Sequence, residues 1–125
     1  MIFPDTERAV MEILDGLGLE TTIHLPKDYA TDTPLVQVLN LPGNPGPEPF
    51  LRTETIQVNV HGRDRDPTRV VANQIRDALT AGPHGTTYGL LDQVTCQVSP
   101  HDVILDGDLL NIYSATYLID VRPIS

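Results

Sequence analysis

The chain has 125 residues, with 8 Lys and Arg against 17 Asp and Glu, and its formal net charge at pH 7 is -9. This length suits one ordinary domain, so we expect a single domain over residues 1–125. The excess of acids argues against a surface that grips nucleic acid by counterion release. The single cysteine, Cys96, excludes an internal disulfide and favours a reducing compartment, and the apolar pattern predicts neither a signal peptide nor a membrane span.

The first third of the chain predicts one helix and two strands. Asp5 is a good N-cap for a helix. Apolar residues follow it at helical spacing, at Val10, Ile13, Leu14 and Leu17, and glycines end the helix. The stretch TTIHL predicts a short strand. The stretch PLVQVLNL predicts another strand, which we expect to be buried on both faces.

The next stretch, PGNPGPEPF, alternates proline with glycine and lacks the backbone donors of a strand or helix. It predicts a projecting loop over residues 42–51. The alternative of a linker between domains is weaker, because too little chain precedes it to make a domain. We expect the loop to dock onto a partner through Gly43, Asn44, Pro45, Pro47, Phe50 and Leu51.

A strand, a charged turn and a second helix follow. The stretch TIQVNVH alternates, with Ile56, Val58 and Val60 on a core face and Gln57, Asn59 and His61 on a face toward water or a partner. Asp66 and Pro67 predict a helix start at N-cap and N1, and the helix runs to about Ala81. Gly62 gives the chain freedom to leave the strand.

The rest of the chain predicts strands in QVTCQV and NIYSATYLIDV, with an Asp106–Gly107 turn between them. The last strand places five residues on its core face: Tyr113, Ala115, Tyr117, Ile119 and Val121. The predicted fold is α+β, a mainly antiparallel sheet with two helices packed on one face, in the order α-β-β-β-α-β-β.

Candidate catalytic and metal-binding residues form no recognised constellation. The histidines His24, His61, His84 and His101 are scattered, and the acids Asp102, Asp106 and Asp108 miss the calcium-loop pattern. The stretch HGTTYG lacks the lysine of a phosphate loop, and Cys96 alternates within a strand as an inert buried thiol. We therefore expect no enzyme activity, no metal and no cofactor, and we look for function in the surfaces.

The layout of DTERAVMEILDGLG, PLVQVLNLPG, TIQVNVHGRDRDPTRVVANQIRDALT and YLIDVRP resembles the tail terminator proteins of long, non-contractile-tailed bacteriophages. These are also called minor capsid or tail-to-head joining proteins. The similarity covers most of the chain, and the central strand, glycine, charged turn and helix are its most specific part.

The resemblance implies a virion protein of the tail or neck, assembled in the host cytoplasm. It implies a homohexameric ring that caps the head-proximal end of the tail tube, stops tube polymerisation and docks the head connector or stopper. DNA passes through such a ring without specific binding. Alternatives are another neck component, such as a head completion or stopper protein, a ferredoxin-like ligand-binding module, or a small enzyme that uses His61, Asp64 and Asp66.

A ring requires two different patches on each subunit. We expect the charged turn to form subunit contacts with a polar strand or hairpin of the neighbour, through Arg63, Asp64, Arg65 and Arg69. A bore that passes DNA should be acidic or neutral. The hairpin aspartates Asp102, Asp106 and Asp108 are the lumen candidates, with Asp64 and Glu54 as the alternative if the sheet faces the other way.

Overall fold

A computed structural model describes residues 3, 5–25, 33–41, 52–103 and 111–122. The elements follow in the order α1 (Thr6–Asp15), β1 (Glu20–Thr22), β2 (Leu35–Leu41), β3 (Arg52–Gly62), α2 (Arg65–Leu79), β4 (His84–Thr86), β5 (Gly89–Val103) and β6 (Asn111–Val121). No helix in these ranges is long and apolar enough to cross a membrane.

The described strands form one curled, mixed sheet in the order β1-β2-β3-β6-β5-β4. The predicted mainly antiparallel sheet, in the element order α-β-β-β-α-β-β, is wrong. β1 pairs with β2 in parallel, and β4 is an additional strand between α2 and β5. Periodicity reports which face a strand buries and carries no information on strand direction, so the parallel pair left no signal in the sequence.

The short strand β4 lies in the stretch HGTTYG, for which the sequence suggested only a mobile loop. His84–Thr86 pairs antiparallel with the start of β5, and the Thr86 hydroxyl donates a hydrogen bond of 2.8 Å to the Gly89 carbonyl. Gly89 has a positive φ of 137°, which suits glycine at this turn. β5 itself continues to Val103, well beyond the predicted QVTCQV, and its pairing with β6 is irregular at three places.

The hydrophobic core lies between the two helices and one face of the sheet. The predicted core face of β3 is confirmed, since Ile56, Val58 and Val60 are at most 2% exposed. The predicted core face of β6 is confirmed as well, because its five residues are all buried. The helices add six buried residues to the same cluster: Ala9, Val10, Leu14, Ala72, Ile75 and Leu79.

The two helices begin differently. Asp5 caps α1 as predicted, because its carboxylate accepts the Arg8 backbone N–H at 3.1 Å. The predicted N-cap Asp66 is wrong: α2 begins at Arg65, with Asp64 in the N-cap position, and the Asp64 side chain makes no cap bond. Pro67 is tolerated in this first turn because N–H groups there have no intrahelical partner.

Candidate interaction surfaces

The charged turn between β3 and α2 lies at the surface and is tied to the start of β6. Arg63, Asp64 and Arg65 are exposed. The Asn111 side-chain amide donates a hydrogen bond of 2.9 Å to the Arg63 carbonyl, across 48 positions of sequence. This hydrogen bond ties the turn to one end of β6, and the charged side chains of the turn lie at the surface.

Arg65 joins this turn to the long β5–β6 pair. Its Nε atom donates a hydrogen bond of 3.1 Å to the Tyr113 hydroxyl and lies 3.6 Å from a carboxylate oxygen of Asp102. The hydrogen bond to Tyr113, together with nearby charges, raises the pKa of Arg65, so the guanidinium stays charged. The structure thus brings together a residue predicted at a subunit contact, Arg65, and one predicted in the lumen, Asp102.

The outer face of α2 presents a cation beside an apolar side chain. Arg69 is exposed and makes no ion pair with any residue that the structure describes. The next residue, Val70, is 58% exposed, and its place on the outer face leaves it outside the core. Arg69 was predicted at a subunit contact, whereas no role was predicted for Val70.

A groove of about 280 Å³ lies between α1 and the turn that joins β4 to β5. The Glu12 carboxylate spans it, since it accepts the Thr87 backbone N–H at 2.8 Å and the Thr87 hydroxyl at 2.6 Å. Tyr88 is 42% exposed beside this pair. The groove is lined by Arg8, Met11, Glu12, Asp15, Thr87 and Tyr88.

Sequence reasoning missed this groove entirely. Glu12 and Thr87 lie 75 positions apart, and neither belongs to a motif. The only local signal was the solvent face of α1, where Arg8, Glu12 and Asp15 recur at helical spacing, and that spacing is equally typical of an ordinary exposed helix face.

The second face of the sheet, away from the helices, carries mostly amides, hydroxyls and scattered aliphatic side chains. Gln37 is central, because its carbonyl oxygen lies 3.4 Å from the Asn59 amide nitrogen and 3.3 Å from His61 Nε2. Nearby, the Gln57 amide donates to the Ser114 hydroxyl at 3.2 Å. The predicted face of His61 is right, although the side chain is only 6% exposed and does not point freely into water.

The register of the described strands places no Lys or Arg on this second face. Arg122 follows β6 directly and continues the alternation of Asp120 at the edge of this face, where it forms an ion pair with Asp92. Its acids at the described strand positions are Glu20 and Asp120, and Asp120 accepts a hydrogen bond of 2.8 Å from the Thr53 hydroxyl. The surface is therefore polar and weakly acidic, because Glu20 and Asp120 have no Lys or Arg beside them at the strand positions.

Other candidate residues have ordinary surroundings. Cys96 is half-buried against the core, and its thiol lies 3.4 Å from the Val98 carbonyl. The alternative lumen candidate Glu54 lies 3.7 Å from the Arg52 guanidinium. Within the described ranges, no three His, Cys, Asp or Glu side chains are grouped so that they would hold a metal ion.

Several predicted site residues lie outside the described residues. These are the docking-loop candidates Gly43, Asn44, Pro45, Pro47, Phe50 and Leu51, and the lumen candidates Asp106 and Asp108. Their roles stay predictions.

No protein-family model matches this chain, and no curated protein matches it in sequence. The resemblance to tail terminators therefore depends on the layout of the sequence itself, above all on the segment that forms β3, the charged turn and α2.

Proposed function

We propose that this protein is a structural virion subunit that forms a ring at the head-proximal end of a phage tail tube. The ring stops tube polymerisation and provides the surface to which the head connector docks. Its contacts are with further copies of the chain, with the tail tube protein and with the connector or stopper, and DNA passes through it without specific binding.

The observation that carries this proposal is the polar, weakly acidic second face of the sheet. A ring that conducts DNA must not hold phosphates, because each Lys or Arg facing the duplex adds a salt-dependent contact that retards transit. The amides and hydroxyls around Gln37 and Gln57 form a wet, polar surface without strand arginines or lysines. Such a face suits a subunit that assembles beside a DNA path.

The strand, turn and helix that carry the resemblance also support a role in assembly. β3 and α2 pack closely where Thr68 lies on Gly62, and the turn between them is anchored by Asn111. A rigid unit of this kind holds Arg63, Asp64 and Arg69 at the surface in a defined position. Rigid presentation lowers the ordering cost of a subunit contact.

Within this proposal the hairpin aspartates Asp102, Asp106 and Asp108 stay the lumen candidates. Asp102 faces Arg65 at 3.6 Å, so its charge is partly balanced inside the subunit. Arg63, Arg65 and Arg69 belong at subunit contacts, where carboxylate partners neutralise them.

The test is deletion of the gene in the virus that encodes the chain, followed by electron microscopy of the particles. A terminator leaves headless tails of abnormal and variable length, because nothing stops the tube. Tails of normal length that fail to join heads would favour a head completion or stopper protein instead. Normal, infectious virions would overturn both, and complementation with the wild-type gene is the control.

A further inference from the structure

We infer that the groove between α1 and the β4–β5 turn receives Arg69 and Val70 from a second copy of this chain. The inference rests on the proposed ring-forming function and names the two surfaces that meet in the ring. The contact is heterologous, since the groove of one subunit binds α2 of its neighbour.

The two surfaces match in charge and in apolar character. The groove offers the exposed carboxylate of Asp15, one oxygen of which accepts the Thr21 hydroxyl at 2.8 Å, and the partly exposed ring of Tyr88. A guanidinium pairs with carboxylates and stacks on an aromatic face, which is the chemistry Arg69 brings. The groove contains one further cation, Arg8, so its lining carries an excess of one negative charge.

Val70 supplies the apolar half of the match. It has the highest exposure among the large hydrophobic side chains exposed in the described ranges, at 58%. Met11 lines the groove and presents a flexible thioether that adapts to the shape of an incoming side chain. In this contact, Arg69 of one subunit meets Asp15 on α1 of the neighbour, and Val70 meets Met11.

The positions of the two surfaces favour a ring. The charged turn before α2 is bound to Asn111 at the start of β6, whereas Val121 at the end of β6 pairs with Leu91, close to the β4–β5 turn. A strand of this length spans roughly 35 Å. Each subunit then has one donor surface and one separate acceptor surface, and head-to-tail contacts of this kind form a ring when the rotation from one subunit to the next closes.

A small-molecule ligand is a weaker occupant. The groove volume of about 280 Å³ lies just below the range of roughly 300–1,000 Å³ for such sites. Its polar centre is already occupied by the Glu12–Thr87 hydrogen bonds. What remains exposed is a rim of Asp15, Met11 and Tyr88, which suits a side chain presented by another protein surface.

The experiment uses disulfide crosslinking of the full chain in a Cys96→Ser background. Met11→Cys and Val70→Cys are made in separate chains, purified, mixed and oxidised at high protein concentration. We expect the mixture to give a crosslinked dimer and each variant alone to give little. Thr95→Cys, which is exposed on the second sheet face, replaces Val70→Cys as the matched control.

Charge reversal then tests the ion pair. Adding Arg69→Glu to the Val70→Cys chain should lower crosslinking by about tenfold, the effect of one close charge pair, whereas Arg122→Glu should not. Asp15→Arg in the Met11→Cys chain should restore the lost crosslinking. A single chain that carries both cysteines should give a ladder that ends at a closed ring.

Crosslinking no greater than with Thr95→Cys would overturn the contact, as would an Arg69→Glu effect that Asp15→Arg fails to reverse. Crosslinking of the groove in virions to a different neck protein would also overturn it. The crosslinking result and the phenotype of the gene deletion can fail independently of each other. Long, headless tails without this crosslink would leave the terminator function standing and assign the ring to other surfaces.

Discussion

The hydroxyl of Thr68 packs on Gly62, at the point where β3 ends and the chain turns toward α2. A β-carbon on Gly62 would overlap this hydroxyl, which is fully buried and donates a hydrogen bond of 2.6 Å to the Asp64 carbonyl. The φ angle of Gly62 is not positive. The glycine is therefore required for close approach and not, as the sequence suggested, for conformational freedom.

Gly62→Ala should lower the free energy of unfolding by about 1–3 kcal/mol, because the added methyl forces Thr68 out of its position. Urea unfolding followed by circular dichroism measures the change. Gly85→Ala is the matched control, since a β-carbon there meets nothing within 4 Å and its φ is not positive. Equal stability of the two variants would contradict the packing argument.

Tyr117→Phe should leave stability unchanged or raise it by up to about 1 kcal/mol. The Tyr117 hydroxyl is buried and has no hydrogen-bond partner among the described residues, so its removal ends an uncompensated desolvation. Thermal and urea unfolding measure the effect. A loss of more than about 1 kcal/mol would show that the hydroxyl has a partner.

The same tyrosine predicts an alkaline loss of stability. Burial raises the pKa of Tyr117 above its ordinary value, so the folded protein keeps the neutral phenol while the unfolded chain ionises above about pH 10. Below that pH the phenol is neutral in both states and adds no pH dependence, and above it the free energy of unfolding falls as the pH rises. Between about pH 10 and 11.5, wild type should lose up to about 1.4 kcal/mol per pH unit more than Tyr117→Phe.

Urea unfolding at several pH values measures this difference. Parallel stability curves for wild type and Tyr117→Phe up to the end of the range would contradict it. A difference confined to acidic pH would contradict it as well, because Tyr117 is neutral in both states there.

The elements with a strong repeating pattern were predictable from the sequence. Alternation over TIQVNVH and YSATYLIDV identified the core faces of β3 and β6, and Asp5 identified the start of α1. The start of α2 was misplaced by two residues because Asp64 and Asp66 both precede helix-compatible residues. Asp64 is the N-cap in the structure, and its carbonyl accepts hydrogen bonds from both the backbone N–H and the hydroxyl of Thr68.

Features that depend on distant parts of the chain were not predictable. β4 has only three residues, too few for periodicity, and exists because it pairs with β5. The parallel β1–β2 pair and the Glu12–Thr87 contact likewise depend on tertiary contacts between segments that are distant in sequence. The interface candidates Arg63, Asp64, Arg65 and Arg69 were found from charge alone, but the groove opposite them in our proposal is visible only in three dimensions.

Arg65 and Tyr113 should show a small coupling energy. Their hydrogen bond has a charged donor, but the Arg65 side chain is 66% exposed, so solvent screens the interaction. A double-mutant cycle with Arg65→Ala and Tyr113→Phe should give about 0.5–1 kcal/mol. A cycle between Arg65→Ala and Tyr117→Phe, a tyrosine it does not contact through its hydroxyl, should give a value near zero. A coupling well above 1 kcal/mol would mean that the pair is shielded from solvent.

Glu12→Gln should release the β4–β5 turn from α1 without unfolding the protein. The carboxylate accepts two hydrogen bonds from Thr87, and the neutral amide accepts them less strongly, so we expect a stability loss of about 1 kcal/mol. Amide hydrogen exchange is the sharper measurement, because the Thr87 N–H should exchange faster while protection in β3 and β6 is retained. Glu20→Gln, an exposed acid on β1, is the control and should leave the exchange of Thr87 unchanged. Slower exchange at Thr87, or loss of protection throughout the sheet, would show that Glu12 does not act as a local tie between α1 and the turn.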